Sequence, residues 1–399
     1  MATARETPAV PERIFLSVAE ASADANAARL VSALSRRLPE ATFHGLGGPA
    51  MAAAGVHLLA ETTAGAAMGL RAFGRAAEVR RLLKQADAFY AEAKPDLAVC
   101  CDSWTMNVHF AKLAKRHGVP VLWYVAPQAW ASRPGRARRL GHLADMLACI
   151  FPFEPAFFSA AGVDVRFVGH PLLEEVPVDL QATPDTPPPI KHPSSPPVVG
   201  LPCGSRRSVA KANLPRQLAV AEHIRKVFPG VRFIVPTTDV THELAEALVA
   251  GVKAQDVELH KGTFDESMSR CDAALCTSGT ATLRLAVLGV PMVAVYAASP
   301  VMWHGLGRWL IRTRTFAMPN ILAAGDPCAD PAGHVVPEFV PWYGPVESAA
   351  EALTNLLAAP RARLRQREAL ARAVETLRGP RASEQAAEAA IEVMARRGG

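Results

Sequence analysis

The chain has 399 residues, half of them apolar, and carries a formal net charge of +6 with a pI near 9.0. This length can bury two cores of ordinary size, so two domains are expected. A mildly basic chain suits a phosphorylated or otherwise acidic partner, and without zinc-finger spacing or a ribonucleoprotein motif no nucleic-acid partner is expected. No run of 18 apolar residues occurs, which argues against a membrane-spanning helix.

Cysteine usage and motif content bound the chemistry further. The seven cysteines form no C-x-x-C pair and lie mostly in apolar runs, which predicts a reduced, cytoplasmic compartment. The N-terminal residues lack the apolar core of a secretory signal peptide, which agrees with that expectation. No H-E-x-x-H, D-x-D or clustered Cys/His motif occurs, so neither a metal nor another cofactor is expected.

The first half of the chain alternates short apolar runs with helical stretches, and polar residues follow the runs. This pattern predicts an open parallel sheet in a first domain spanning residues 1–176. We expect a turn at Ala19–Asp24 after the first strand. The predicted strands are Ile14–Val18, Thr42–His44, Leu97–Cys101, Val121–Val125, Met146–Phe151 and Val165–Val168.

Eight prolines between Pro177 and Pro197 predict a stiff linker over residues 177–197. The strand pattern then restarts in a second domain, residues 198–345. Residues 346–399 are rich in Ala, Glu and Arg at helical spacing, and we expect these helices to pack back across the domain boundary. Two α/β domains would leave a cleft between facing carboxyl ends of their strands. The predicted strands of the second domain are Val198–Leu201, Val231–Val235, Ala273–Cys276 and Pro291–Tyr296.

A βαβ unit over residues 273–296 offers an anion site. Thr277–Thr280 supplies hydroxyls and a glycine between a buried strand and the helix Ala281–Leu288, where free amides and the helix dipole favour an anion. The alternative is that Ser278 or Thr280 only caps the helix. Leu201–Arg206 is a second strand-end loop, and its arginine could share one diphosphate without a metal.

Strand-end residues of the first domain are candidates for acid–base chemistry. Asp102 follows a buried strand and suits a general base with a raised pKa, or alternatively the N-cap of the helix that starts at Trp104. Glu20 and Asp24 flank Ser22 and could bind sugar hydroxyls or cap the next helix. His170 is either a ligand contact or a turn histidine.

Several of these residues belong to short motifs that follow one another along the chain. In the order and spacing of these motifs, the chain resembles the lipid-A-disaccharide synthase family from about Ile14 to Ala390. The motifs are Glu20-Ala-Ser22, Gly47-Gly48-Pro49-x-Met51, Asp102…Asn107, Tyr124-Val-x-Pro127-x-x-Trp130-Ala-x-Arg133, Phe167-Val-Gly-His170, Gly204-Ser-Arg206, Ser278-Gly-Thr-Ala-Thr-Leu283, Pro319-Asn320 and Glu384-Gln385.

The resemblance implies an inverting glycosyltransferase with two facing Rossmann-like domains and a cleft between them, the GT-B type. It would move 2,3-diacylglucosamine from UDP to the 6-hydroxyl of 2,3-diacylglucosamine 1-phosphate. Asp102 would be the catalytic base, and the remaining roles are implied as follows. Substrate-binding residues would be Glu20, Ser22, Asp24, Asn107, Gln128 and His170, and donor-binding residues Gly204, Ser205, Arg206, Ser278, Gly279, Thr280, Arg284, Asn320 and Gln385.

Partners and location follow from the same resemblance. The substrates imply a peripheral enzyme at the inner face of the cytoplasmic membrane, and family members can dimerise through the C-terminal segment. Residues 66–75 and 302–314 mix apolar and basic side chains, which is typical of membrane-surface segments and also of amphipathic helices that face a core.

The chain departs from the family pattern at a few positions. Ala19 and Ala23 replace glycines, Trp104 replaces a proline, and Arg284 stands where the family has a glutamate. In related enzymes such a glutamate accepts bonds from ribose hydroxyls, which arginine cannot do. This predicts altered donor handling and leaves two alternatives: a sugar-nucleotide enzyme with another acceptor or an epimerase, and a lapsed paralogue that binds a glycolipid.

Overall fold

A computed structural model describes residues 12–63, 72–183, 196–252, 254–307, 311–330 and 333–396. The chain divides into two compact units. Unit 1 takes residues 1–129, 133–171 and 379–399, and unit 2 takes residues 130–132 and 172–378. Of the segment predicted as a linker, residues 184–195 lie outside the described residues, and the part before them belongs to unit 2.

Unit 1 is built on a seven-stranded parallel sheet in the order β3-β2-β1-β4-β5-β6-β7. Most of its strands are buried on both faces, which is why they are nearly continuous apolar runs. The predicted strands are confirmed to within a few residues, and β3 was missed. The strands are β1 Arg13–Ser17, β2 Thr42–Gly47, β3 His57–Glu61, β4 Leu97–Cys101, β5 Val121–Tyr124, β6 Met146–Cys149 and β7 Val165–Phe167.

Unit 2 contains a six-stranded parallel sheet in the order β10-β9-β8-β11-β12-β13. In both units the strand order reverses beside the first strand, between β1 and β4 and between β8 and β11. Ligands of open α/β sheets bind at such switch points, outside the carboxyl ends of the strands. The strands are β8 Val198–Gly200, β9 Arg232–Pro236, β10 Val257–His260, β11 Ala273–Thr277, β12 Met292–Val295 and β13 Glu338–Phe339.

Helices cover both sheets; α1–α6 and α16 belong to unit 1, and α7–α15 belong to unit 2. None of the helices within the described ranges has the length and apolarity needed to cross a bilayer. They are α1 Ala21–Arg37, α2 Pro49–Ala53, α3 Ala72–Ala93, α4 Trp104–Arg116, α5 Gly135–Gly141, α6 Glu154–Ser159, α7 Leu172–Glu175, α8 Arg207–Val227, α9 His242–Gly251, α10 Phe264–Met268, α11 Thr280–Val287, α12 Pro300–Met302, α13 Met318–Ala324, α14 Glu347–Ala358, α15 Pro360–Glu375 and α16 Ala382–Ala395.

Two helices differ from what the sequence predicts. The turn expected over Ala19–Asp24 is wrong, because α1 already begins at Ala21; this stretch is rich in alanine, and Ala23 and Ala27 pack into the core. The C-terminal segment divides between the units. α14 packs on α8 in unit 2, whereas α16 packs on α1 and on β4–β6 in unit 1.

Candidate active site

The carboxyl edge of the unit 1 sheet contains strained backbone at two neighbouring strands. After β4, Asp102 and Ser103 have φ values of 55° and 30°, and after β5, Val125 has a φ of 67°. Positive φ is unfavourable for residues other than glycine, most of all for β-branched valine. Such strain persists only where the surroundings enforce it, and it concentrates at functional sites.

Asn107 enforces the conformation of the Asp102 loop. Its Nδ2 donates to the carbonyl oxygens of Cys101 at 2.8 Å and Asp102 at 3.0 Å, and its Oδ1 accepts from Ser17 Oγ at 2.7 Å. The side chain is completely buried. Its polar atoms position the loop, and its role as a substrate ligand stays a prediction.

The surroundings of Asp102 raise the pKa of its carboxyl group, as a general base requires. Burial raises the pKa of its carboxyl above the usual range and the charge of Glu20 raises it further, while a hydrogen bond from the Ser103 amide opposes the shift. The N-cap residue of α4 is Ser103, so Asp102 is not the cap of that helix. A carboxylate with a raised pKa is a better proton acceptor than an ordinary aspartate.

The acidic residues after β1 have different surroundings. Glu20 is the N-cap residue of α1, and Ser22 is exposed in its first turn. Asp24 is buried, and its carboxylate accepts from the backbone amides of Gly48 at 2.8 Å, Ala50 at 2.9 Å and Met51 at 3.3 Å. Asp24 thus fixes the start of α2, and its role as a sugar ligand stays a prediction.

Two further predicted ligands lie after β5 and β7. Gln128 is exposed in the segment that follows β5. The ring of His170 lies 5.0 Å from that of Phe151, and burial lowers the pKa of the imidazole to about 3. His170 is therefore neutral at physiological pH and can donate or accept a hydrogen bond without carrying charge.

In unit 2 the structure brings the two predicted anion-binding loops together. The Thr277 amide, at the end of β11, donates to the Pro202 carbonyl oxygen in the loop after β8 at 2.9 Å. Both loops need glycine. Gly204 has a φ of 105°, and a Cβ there would lie 2.6 Å from Val209 Cγ1; Gly279 has a φ of 146° at the N-cap of α11.

The donor residues predicted in these loops differ in exposure and in hydrogen bonding. Ser205, Arg206 and Thr280 are exposed, and Arg206 is the N-cap residue of α8. Ser278 uses its amide for Val295 O at 2.7 Å and its hydroxyl for Phe316 O at 3.0 Å. Its role in diphosphate binding stays a prediction; both of its polar hydrogens bond to backbone carbonyl oxygens in this structure.

The side chains of Asn320 and Gln385 also make hydrogen bonds to other groups of the protein. Asn320 is buried in α13, where its amide group exchanges hydrogen bonds with the backbone of Val336 at 2.8 Å and donates to Glu338 at 2.6 Å. It therefore joins α13 to β13, and its role as a donor ligand stays a prediction. Gln385 lies on α16 of unit 1 and donates to Glu388 at 3.1 Å, so it does not belong to the unit that holds the donor loops.

Comparison with known proteins identifies the family. The family model described as lipid-A-disaccharide synthetase matches residues 14–393. The chain belongs to this family. The lipid-A-disaccharide synthase of Geobacter metallireducens is 34% identical over 390 residues, covering 97% of this chain and 98% of the relative. That of Anaeromyxobacter dehalogenans is 33% identical over 394 residues, covering 97% and 99%.

Solved structures agree on the fold. MurG of Acinetobacter baumannii superposes with a TM-score of 0.55 at 14% identity, covering 96% of this chain and all of MurG. The UDP-GlcNAc 2-epimerase of Neisseria meningitidis gives 0.58 at 11%, covering 96% and 100%. The predicted GT-B fold class is confirmed. Since transferases and epimerases share this fold, the family match decides that this lipid-A-disaccharide synthase family member is a disaccharide-forming glycosyltransferase.

At the position of the family's glutamate, Arg284 pairs with acids instead of facing solvent. Its guanidinium donates to both oxygens of Asp265, and Nη1 lies 3.1 Å from Glu175 Oε2. The hydrogen bonds that Arg284 donates to Asp265 are the main reason that the pKa of Arg284 is raised. Its assignment as a donor ligand loses support, because three of its donors bind protein carboxylates.

Sequence reasoning missed a cluster of cations beside Asp102. The guanidinium groups of Arg136 and Arg139 lie over the ring of Trp104. Trp104 was noted only as a departure from the family pattern. The available signal was the arginine-rich run Arg133-Pro-Gly-Arg-Ala-Arg-Arg139. Among the described residues, no three His, Cys, Asp or Glu side chains form a group that could hold a metal ion.

Proposed function

We propose that this lipid-A-disaccharide synthase family member transfers 2,3-diacylglucosamine from its UDP conjugate to the 6-hydroxyl of 2,3-diacylglucosamine 1-phosphate. The products would be a β-1,6-linked disaccharide 1-phosphate and UDP. The family match over residues 14–393 carries the proposal. The strained, partly buried Asp102 at the carboxyl edge of the unit 1 sheet supports it.

In unit 1 the chemistry would be proton removal from the acceptor. The acceptor O6 forms a bond to the anomeric carbon of the donor, and Asp102 takes the proton that this oxygen loses. The bond between the anomeric carbon and the diphosphate oxygen breaks on the opposite face, which inverts the configuration. Asp102 suits this role better than His170, because an imidazole with a pKa of about 3 is a very weak base.

In unit 2 the chemistry would be stabilisation of the departing diphosphate. The first amides of α11 have no helical carbonyl to bond, and the positive end of the helix dipole lies there. Thr280 adds an exposed hydroxyl, and Arg206 adds a guanidinium from the neighbouring loop. Together these groups would hold the two negative charges without a divalent cation.

We also propose that the protein acts in the cytoplasm at the inner surface of the cytoplasmic membrane. Diacylated sugars partition into the bilayer, and the net charge of +6 favours an anionic membrane surface. The stretches predicted for this role, residues 66–75 and 302–314, lie partly outside the described residues. A homodimer through the C-terminal segment is proposed on the family resemblance and would be measured by sedimentation.

The test is an assay by mass spectrometry with both diacylated substrates, with each substrate omitted in turn, and with the Asp102→Asn variant as a matched control. We expect disaccharide 1-phosphate and UDP in equal amounts from the wild type, and far less of both from Asp102→Asn. UDP release with free diacylglucosamine and no disaccharide would indicate another acceptor. UDP binding without turnover of either substrate would indicate the lapsed paralogue.

A further inference from the structure

A cluster of arginines, which we call the arginine platform, lies in unit 1 beside the loop that holds Asp102. Arg133, Arg136 and Arg139 form it. The Cζ atoms of Arg136 and Arg139 lie 5.6 and 5.7 Å from the centroid of the Trp104 ring. Both distances are within the range of cation–π attraction, which orients the two guanidinium groups.

Trp104 is itself held in place. It is the first residue of α4, and its ring packs on that of the fully buried Trp123, with centroids 5.5 Å apart. Asp102 precedes Trp104 by two residues in a loop whose backbone bonds to Asn107. The ring that carries the guanidinium groups is therefore attached to the same rigid strand end as the proposed base.

The platform carries uncompensated positive charge. The pKa of Arg136 is lowered by burial and by the charges of Arg133 and Arg139, so the three cations repel one another. Within the described ranges no carboxylate pairs with any of these guanidinium groups. Like charges held together in this way lower their energy when an anion binds between them.

We propose that the arginine platform binds the phosphomonoester of the acceptor sugar. This inference rests on the proposed function and names the group that selects its acceptor. A phosphomonoester carries close to two negative charges and three acceptor oxygens, which two forked guanidinium groups can bind in bidentate fashion. The platform would thus set specificity for a phosphorylated acceptor, while Asp102 acts on the hydroxyl at the other end of the sugar.

The first test measures binding without turnover. Glucosamine 1-phosphate and glucosamine are titrated by calorimetry into the full-length wild type, Arg136→Gln, Arg139→Gln and the double variant. We expect each single substitution to weaken binding of the phosphate ester about 10-fold, with glucosamine unaffected. Arg138→Gln is the matched control, because Arg138 is exposed on the same helix and is not one of the two arginines whose guanidinium groups lie over Trp104. Equal affinities for the two sugars in the wild type overturn the inference.

The Trp104→Leu variant distinguishes the positioning role of the Trp104 ring from the charge of the arginines. It keeps all arginines but removes the aromatic face, so we expect weaker binding of the phosphate ester and partial recovery in Trp104→Phe. Unchanged binding in Trp104→Leu would overturn the positioning role of the ring. Circular dichroism spectra that match the wild type are required of each variant.

A second experiment distinguishes the acceptor phosphate from a lipid headgroup. Vesicles of phosphatidylcholine, with and without phosphatidylglycerol, are sedimented with the wild type and the double variant. Loss of vesicle binding with unaltered affinity for glucosamine 1-phosphate would overturn the inference. Failure of the proposed function gives a different result. In that case no disaccharide forms, but glucosamine 1-phosphate still binds and its binding still depends on the arginines, so the assignment of the platform is retained.

Discussion

Arg284 and Asp265 form a bidentate ion pair in unit 2, with Nε to Oδ1 at 2.6 Å and Nη2 to Oδ2 at 3.0 Å. The Asp265 side chain is only 8% exposed, so Arg284 is the main partner that offsets the loss of water around it. If Arg284 only removed a hydrogen bond to ribose, Arg284→Glu would restore affinity for UDP. The ion pair reverses that expectation, because the substitution would place a third carboxylate beside Asp265 and Glu175.

We predict that Arg284→Ala lowers the free energy of unfolding by about 3 kcal/mol, since it leaves a buried carboxylate unpaired. Arg284→Glu should cost more, and the double variant Arg284→Glu/Asp265→Arg should recover most of the loss. Urea denaturation measures all three. Arg270→Ala is the matched control, because Arg270 makes the same bidentate pair with Glu258 at an exposed site, where the loss should stay below about 1 kcal/mol. No recovery in the double variant would contradict the pairing.

Asp102→Asn should lower kcat by about 10²- to 10⁴-fold and leave UDP affinity unchanged, because the proposed UDP ligands belong to unit 2. Asparagine tolerates the positive φ at this position, so the loop should keep its conformation. Single-turnover kinetics and UDP titration provide the two readouts. Near-normal turnover would remove Asp102 as the base.

The same substitution should affect stability in a defined direction. An acid whose pKa is higher in the folded than in the unfolded state loses stability as pH rises from the unfolded towards the folded pKa. Asp102 has such a raised pKa. Asp102→Asn lacks this loss, so its thermal midpoint should exceed that of the wild type at neutral pH and match it more closely in acid.

Glu20→Gln should shift the pH profile of the reaction. The charge of Glu20 raises the pKa of Asp102, so removing it lowers that pKa and moves the acidic limb of kcat/KM to lower pH. Glu61→Gln is the control. Glu61 is the last residue of β3 in the same sheet, and its charge is not among those that act on Asp102. An unshifted acidic limb in Glu20→Gln would show that another group titrates.

UDP should bind the wild type equally well with and without EDTA, as measured by calorimetry. Gly279→Ala should weaken this binding about 10-fold, because φ at this position is nearly exclusive to glycine and the amides of α11 would be displaced. Gly325→Ala is the control, with positive φ and open space around it but no place in either loop. Loss of affinity on chelation would rule out the metal-free mechanism.

Local patterns predicted much of the fold because they act over a few residues. Buried parallel strands are short apolar runs, so β4 was predicted to the residue. Strands β10 and β13 were missed, because Val257-Glu-Leu-His260 and Glu338–Phe339 are short and carry charged residues among their apolar ones. Both pair at the outer edges of their sheet, where burial is incomplete.

The site could be predicted only in part, because polar residues near strand ends serve either a ligand or the backbone. Asp102, Asn107 and Asp24 fit the same sequence pattern, yet two of them hold loops. The choice depends on contacts between distant residues: Asp265 and Glu175 lie 19 and 109 positions from Arg284. Such distant partners cannot be predicted from the spacing of residues along the sequence, whereas the positions of the strand ends can.

The position of α16 also dictates the order in which the protein can acquire its structure during synthesis. This helix follows unit 2 in the chain and packs against α1 and the central strands of unit 1, and its small residues Ala386 and Ala390 are buried. A nascent chain that has reached only residue 171 therefore exposes an apolar surface, while unit 2 can form before translation ends. Ribosome-bound chains arrested before α16 should be protease-sensitive in unit 1 and candidates for chaperone binding.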